Sequence, residues 1–590
     1  MQYTAKSSKN FPALSCLAIT VTLLLSGCSS SEKESEDTTQ QVILLENKAG
    51  PTEKSQDAAV NTHEMVEHQV LVRMEQPQAR QYQRIKSAVR PALVSGMMAD
   101  ASVSLPQREN YQHYPENGVW TVAEQPLSTF SVDVDTASYS NIRRMLEQGI
   151  SPPADAVRIE EMLNYFDYHY PQPQGDVPFH LDTRFAASPL NPNKHLLRVA
   201  LSGKTITAEQ RAPANLVFLL DVSGSMSADD KLPLLKRALQ MLVNQLDNRD
   251  SVSIVVYAGA SGVVLEPTSG DDKLAISQAL DKLQAGGSTN GSGGIQLAYQ
   301  MAKKAFKAEG VNRVLLATDG DFNVGTTDHD ELMQLIEKQR KTGVNLSVLG
   351  FGRGNYNDHL TEQLADKGNG NAAYIDNINE ARKVLVEQLT GTLQVIAKDV
   401  KIQVEFNPNT VHEYRLIGYE NRALNKEDFN NDKVDAGDIG AGHQVTALYE
   451  LTLKTAGQYD VDTLRYQNDQ RNAPSTTDSK QDEIALVKLR YKAPDGEVSQ
   501  KLEQVVHLEQ MLNFHETDSS FQFAHSVAGL GQLLKGSKFV SVEDAQTLIE
   551  QAKLAKGDDE QGYRAEFIRM MENWLLLQHS SQFRRRKPQR

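Results

Sequence analysis

The chain has 590 residues, 39% of them hydrophobic, and a formal net charge of −15. A single core usually serves about 100 to 200 residues, so two or three domains are expected. The acidic balance argues against nucleic acid or an anionic surface as the main partner, because phosphate contacts rest on clustered Lys and Arg.

At the N-terminus Lys6 and Lys9 precede a mostly apolar run from Phe11 to Leu25, and Ser26-Gly27-Cys28 follows. A positive n-region, an apolar h-region and small residues make a secretory signal. The run is shorter than the roughly 20 residues that span a bilayer, and a Cys directly after small residues resembles the lipobox of bacterial lipoproteins. The resemblance implies that residues 1–27 are removed and that the Cys28 thiol is acylated as the mature N-terminus. Ser29, not being Asp, implies an outer-membrane destination, facing the periplasm or the surface. An uncleaved anchor and an ordinary secretory signal with an incidental Cys are the alternatives. The one other cysteine, Cys16, lies inside the signal, so the mature chain can form no intramolecular disulfide and its fold must rest on core burial.

Residues 28–107 are rich in Gln, Glu, Ser and Thr, with scattered apolar positions. They cannot bury enough apolar surface to offset ordering entropy and read as a tether with a reach of roughly 50 Å. A transient helix is expected within it over residues 80–89, ended by Pro91. An α+β module is expected over residues 108–211. There Ser128 to Thr136 alternates as a strand that places Asp133 and Asp135 on one face. Paired carboxylates suggest an Asp-x-Asp-x-Thr phosphotransferase, but the fifth position is Ala137 and no other part of that machinery follows. Strand-end capping is the plainer reading, since Thr136, Ser138 and Ser140 precede the helical pattern Ile142, Met145, Leu146. A second helix follows through Ile159, Met162, Leu163 and Phe166.

From 212 to 395, apolar strands alternate with amphipathic helices. The strand candidates are residues 215–220, 252–257, 313–317 and 345–350. The helices run through Leu232 to Leu246 and over residues 276–283, 295–306, 332–341 and 381–389. This alternation implies a doubly wound, mostly parallel α/β sheet with ligands at the carboxyl ends of its strands. Three polar segments fall at such ends: Asp221-Val222-Ser223-Gly224-Ser225, Gly286-Gly287-Ser288-Thr289-Asn290-Gly291, and Thr318-Asp319-Gly320-Asp321. Hydroxyls and carboxylates are hard ligands suited to Mg²⁺, Mn²⁺ or Ca²⁺, and no Cys or His cluster that would favour zinc lies among them. Each segment alone also suits an ordinary βα loop or helix cap. Together they resemble the metal-ion-dependent adhesion site of the von Willebrand factor A family, over about a third of the chain. The resemblance implies that Asp221, Ser223, Ser225, Thr289 and Asp319 surround the ion. It also implies that one position stays open for an acidic side chain of a protein partner.

Residues 396–506 read as a β-rich module, with strands at 400–406, 446–453 and 484–491. Asp428 to Asp435 resembles a calcium loop superficially, but Lys433 stands where Gly is needed and Ile439 where Glu is needed. Residues 507–590 read as a helical segment with helices at 519–534 and 563–577, an apolar stripe of Phe567, Met570, Met571, Trp574 and Leu575, and the basic tail Arg584-Arg585-Arg586-Lys587. Together the stretch 130–139, the segment 427–442 and this ending resemble the bacterial YfbK-like lipoproteins, whose flanking domains lack a described activity.

An enzyme is not expected. No Gly-x-Ser-x-Gly elbow marks a serine hydrolase, and Gly531 to Lys538 carries Ser537-Lys538 in the reverse of the phosphate-loop order, inside a helical setting. A metal-assisted protein-binding module anchored to the membrane by its N-terminal lipid fits these features. A structural envelope component with a vestigial metal site is the alternative, and a metal-dependent hydrolase a weaker one.

Overall fold

In the computed structural model of the protein, residues 109–289, 291–320, 329–461 and 480–585 are described. The signal with Cys28, the 28–107 tether with its 80–89 helix, and the 586–590 end of the basic tail lie outside them. Among the described residues no helix is long and apolar enough to cross a membrane.

The 212–395 region forms a six-stranded sheet. Its order is Ala372–Ile375, Asn345–Phe351, Val311–Thr318, Ala214–Asp221, Ser251–Tyr257 and Ser261–Ser269. Neighbours are parallel except the last pair, an antiparallel hairpin. The strand Ala214–Asp221 is buried at every position, as its unbroken apolar run requires of a central strand. Successive side chains point to opposite faces. Leu216, Phe218 and Leu220 therefore join one core, covered by the helix Leu232–Asn244, and Val217 and Leu219 join another, covered by the helix Gly291–Lys304.

Two strands and a helix here were not anticipated. Ser261–Ser269 is a half-exposed edge strand with Pro267 inside it, a residue that the edge of a sheet tolerates. Ala372–Ile375 has four residues, too few for a periodicity, and the helix Asp358–Lys367 precedes it. The helix expected over 381–389 is broken into Ile378–Arg382, a π-helical turn Lys383–Glu387, and Leu389–Leu393.

The chain on either side of this region builds one body. One sheet has the order Trp120–Thr121, Val411–Ile417, Gln444–Leu453, His195–Gly203, Phe179–Ala187 and Met511–Leu512. The other runs Ile439–Gly440, Val395–Phe406, Glu483–Lys492 and Ser499–His507, with Leu127–Ser131 also paired to Val395–Phe406. Phe130, Phe406, Tyr414, Tyr449 and Val487 fill the core they share. The helices Ala137–Glu147 and Ile159–Asn164 pack on Ser519–Lys535, Ala545–Leu554 and Tyr563–Arg585 through Phe166, Phe523, Phe567 and Trp574. Segments 108–211, 396–506 and 507–590, separate modules by sequence, thus share sheets and cores, and the doubly wound domain is a continuous insertion among them.

The 128–136 strand needs correction. It ends at Ser131, so Asp133 and Asp135 lie in the following loop, where both meet Arg422 at 3.0 and 3.5 Å. Asp135 also accepts the Ala372 N–H at 2.9 Å, tying this loop to the doubly wound sheet. Thr136 occupies the N-cap of the next helix without a capping hydrogen bond. Gly536 ends the helix Ser519–Lys535 in the left-handed conformation, which makes that glycine-containing stretch a helix stop rather than a phosphate loop.

Candidate metal centre

The strands Ala214–Asp221 and Val311–Thr318 lie side by side at the point where the sheet's order reverses. In an open parallel sheet the crevice at such a point is where ligands bind. Asp221 closes the first strand and Asp319 follows the second, and both are fully buried. Asp221 Oδ1 accepts the Ser223 N–H at 2.8 Å, and the Ser223 and Ser225 hydroxyls lie 3.0 Å apart. The glycine-rich loop is fastened to this one by two backbone hydrogen bonds: Gly286 N–H to Val222 O at 2.8 Å, and Gly224 N–H to Gly287 O at 3.0 Å. Thr289 is half-buried in that loop, immediately before the helix Gly291–Lys304. All three segments singled out by sequence therefore meet at one end of the sheet. Asn290 and Asp321 lie outside the described residues.

The two carboxylates differ in setting. Burial pushes the Asp221 carboxyl up to about 6, the charge of Asp319 adds to this, and Ser223 and the Tyr257 hydroxyl pull it back. Asp221 Oδ2 is nevertheless buried with no partner of good hydrogen-bond geometry. Burial also opposes ionisation of Asp319, but hydrogen bonds from Lys231 and Ser225 and the Lys231 charge outweigh it and hold the group below the usual carboxylate range. Lys231 Nζ stands 2.8 Å from Asp319 Oδ2 and 3.5 Å from Asn355 Oδ1.

Lys231 and the 352–357 loop were missed by sequence reading. Lys231 precedes the helix Leu232–Asn244, where a lone basic residue reads as solvated. Its stem crosses Gly352, where an added Cβ would come 2.2 Å from Lys231 Cε. At Gly320, with φ +95°, an added Cβ would come 2.6 Å from the backbone of Tyr356 and Asn357. A side chain at either glycine would push this loop off the centre. Glu109 holds the loop from outside, accepting the Gly354 N–H at 2.9 Å.

The donor set suits a hard dication: hydroxyls and two carboxylates, one of which holds the buried Oδ2 that no well-aligned donor meets. Among the described residues no three His, Cys, Asp or Glu side chains gather into a metal cluster, so a centre here depends on its hydroxyls.

Comparison with known proteins identifies the fold and the family of the chain that carries these residues. A model for the von Willebrand factor type A domain matches residues 215–388, a von Willebrand factor model matches 105–198, and a model described as Uncharacterized protein YfbK, C-terminal, matches 391–577. The Uncharacterized protein YfbK of Escherichia coli (strain K12) is 46% identical over 477 residues, covering 80% of this chain and 82% of that protein. The chain belongs to the YfbK family. This YfbK-family chain is also similar to the uncharacterized protein sll0103 of Synechocystis, 31% identical over 185 residues, 31% of this chain and 43% of that protein. A solved von Willebrand factor type A structure from Catenulispora acidiphila is 15% identical, covers 66% of this chain and 89% of its own, and has a TM-score of 0.36.

Proposed function

We propose that the chain is a lipid-anchored protein of the cell envelope whose A-type domain binds a protein partner through a divalent cation, Mg²⁺ or else Mn²⁺ or Ca²⁺. An Asp or Glu of that partner completes the coordination, and the role is binding rather than catalysis. The observation that carries the reading is Asp221 Oδ2, buried without a donor of good hydrogen-bond geometry beside Asp319 and the Ser223–Ser225 hydroxyl pair. A buried carboxylate oxygen that no well-aligned donor meets stays under-solvated, and a hard cation is the group that repays a carboxylate there. When bound, the ion supplies an electrophilic position for an anionic oxygen. Ser223, Ser225 and Thr289 are the hydroxyls available to hold it, and Asp221 and Asp319 the carboxylates.

Lys231 sharpens the case for an anionic partner. Two carboxylates balance a dication, and the adjacent ammonium then leaves the centre with one positive charge in a poorly screened site. A partner carboxylate matches that surplus better than water or a neutral carbonyl. Cys28, outside the described residues, would supply the membrane anchor.

Pull-downs from envelope extracts with wild type, Asp221→Ala and Thr289→Ala, each with and without chelator, test the reading. A partner should be recovered only by wild type with divalent ion. Thr289→Ala should weaken recovery roughly tenfold, about 1.4 kcal/mol, since it removes a hydroxyl and no charge. Recovery of the same proteins by Asp221→Ala and in chelator overturns the metal-dependent mechanism, and metal-dependent turnover of a small substrate with no stable partner would favour an enzyme. In a separate arm, Cys28→Ser should leave the membrane fraction; unchanged partitioning would remove the anchor from the proposal.

A further inference from the structure

A cavity of about 700 Å³ opens between residues 164–169, the turn from Lys383 to Gly391, residues 441–444 and residues 558–564, with Val134 and residues 205–206 completing its wall. Its size falls in the range of small-molecule sites. It is lined by none of the metal-centre residues.

Lys383 is its unusual member. The residue is 5% exposed, and its ammonium stands 4.3 Å from the Tyr165 ring centre and 4.5 Å from that of Tyr563. Among the described residues it has no hydrogen-bond acceptor and no carboxylate within ion-pair distance. Glu380, Glu387 and Asp167 act on it only as more distant charges, and burial holds its pKa below that of an ordinary lysine. Two aromatic faces attract a cation but do not neutralise it, so the ammonium remains short of a counter-anion. Lys383 also opens the π-helical turn, closed by the Gln388 N–H on Lys383 O at 2.9 Å. Such turns are rare and cluster at functional sites.

The remaining charges of the cavity are mostly acidic. Arg564 is taken up by the carbonyl oxygens of Ala555, Lys556 and Asp167. Glu387 accepts the Tyr563 hydroxyl, and Asp559 caps the helix Tyr563–Arg585 through the Arg564 and Ala565 N–H groups. Asp558 and Glu560 line the cavity from exposed positions. A simple anion would meet these carboxylates on the way in, and a simple cation would meet Lys383 within.

We propose that this cavity binds a small zwitterion of the amino-acid or short-peptide class, its carboxylate on the Lys383 ammonium and its own ammonium toward Asp558 and Glu560. The arrangement answers both charges at once, and the Tyr165 and Tyr563 rings supply apolar walls beside the carboxylate.

Calorimetric titration of the full-length protein with alanyl-alanine, its N-acetyl form and its C-terminal amide tests this. Excess chelator in every run keeps the carboxylate from engaging a metal at Asp221. Alanyl-alanine should bind saturably, and blocking either terminus, or Lys383→Met, should weaken it at least tenfold. Should Lys383→Met fail to fold, reductive methylation of wild type read by mass spectrometry replaces it: the dipeptide, and neither blocked form, should slow modification of Lys383. No saturable binding up to on the order of 10 mM, equal binding of all three probes, undiminished binding by folded Lys383→Met, or no protection of Lys383 would each overturn the site.

Discussion

Around the inserted domain, buried arginines are met by carboxylates. Arg143 reaches Asp376, Glu380 and Glu566, Arg158 reaches Asp358 and Glu362, and Arg422 reaches Asp133, Glu362 and Asp366. At the carboxyl end of the A-type sheet the balance is different: Lys231 answers Asp319, while Asp221 keeps a buried oxygen with no partner. Under the proposed function, the difference separates charges that hold segments together from charges left to take up an ion. Each of the three arginines lies on the flanking body and at least one of its carboxylates on the inserted domain, so these pairs fasten the insertion into its frame.

The largest expected effect lies at the fastening charges. Arg143→Ala leaves Asp376, Glu380 and Glu566 without the guanidinium that all three share. Removing one partner of a buried ion pair typically costs about 3–5 kcal/mol. Denaturant titration should show a loss of that order, and a loss below about 1 kcal/mol would mean the network does not anchor the insertion.

A pH series sharpens the same contrast within the flanking helices. His525 is buried against Gln551, and burial pushes its pKa down to about 4. Its value in the unfolded chain is near 6.5, so as pH falls the unfolded state takes up the proton first. The stability from keeping His525 neutral is complete above about pH 6.5 and declines toward pH 4, by up to roughly 3 kcal/mol for this one group. Melting temperature should therefore drop more steeply between pH 7 and pH 5 in wild type than in His525→Gln. Parallel slopes would show that His525 does not govern the acid limb.

The smallest effect is expected at the candidate metal centre. Asp221→Ala removes the unpartnered oxygen and the repulsion with Asp319, so metal-free stability should change by less than about 1 kcal/mol. Mg²⁺ or Mn²⁺ titration should at the same time lose its single site, as it should in Asp319→Ala. If Asp221→Ala destabilises as much as Arg143→Ala, Asp221 is a fastening charge and the two regions do not differ.

The inserted domain was the legible part because its contacts repeat locally. Its inner strands were anticipated within two residues at each end, and the loops bearing Asp221, Thr289 and Asp319 follow from where apolar runs stop. The half-exposed Ser261–Ser269 edge and the four-residue Ala372–Ile375 strand carry too weak a pattern. Lys231 was invisible for another reason: its partner Asp319 is 88 positions away, and no spacing rule links a residue before one helix to the end of a distant strand.

By itself, the sequence determined which faces are buried, since unbroken apolar runs demand cover on both sides and alternating ones on a single side. It also determined that hydroxyls and carboxylates collect at the carboxyl end of a parallel sheet. Only the tertiary structure decided the company they keep. Asp133 and Asp135 read as neighbours on a strand, yet their partner Arg422 comes from 289 and 287 residues away. Leu127–Ser131 pairs with Val395–Phe406 across the whole insertion. The physical reason is that apolar periodicity encodes burial without naming a partner. The shared sheets, the answered arginines and the unanswered Lys383 and Asp221 are set by which surfaces meet.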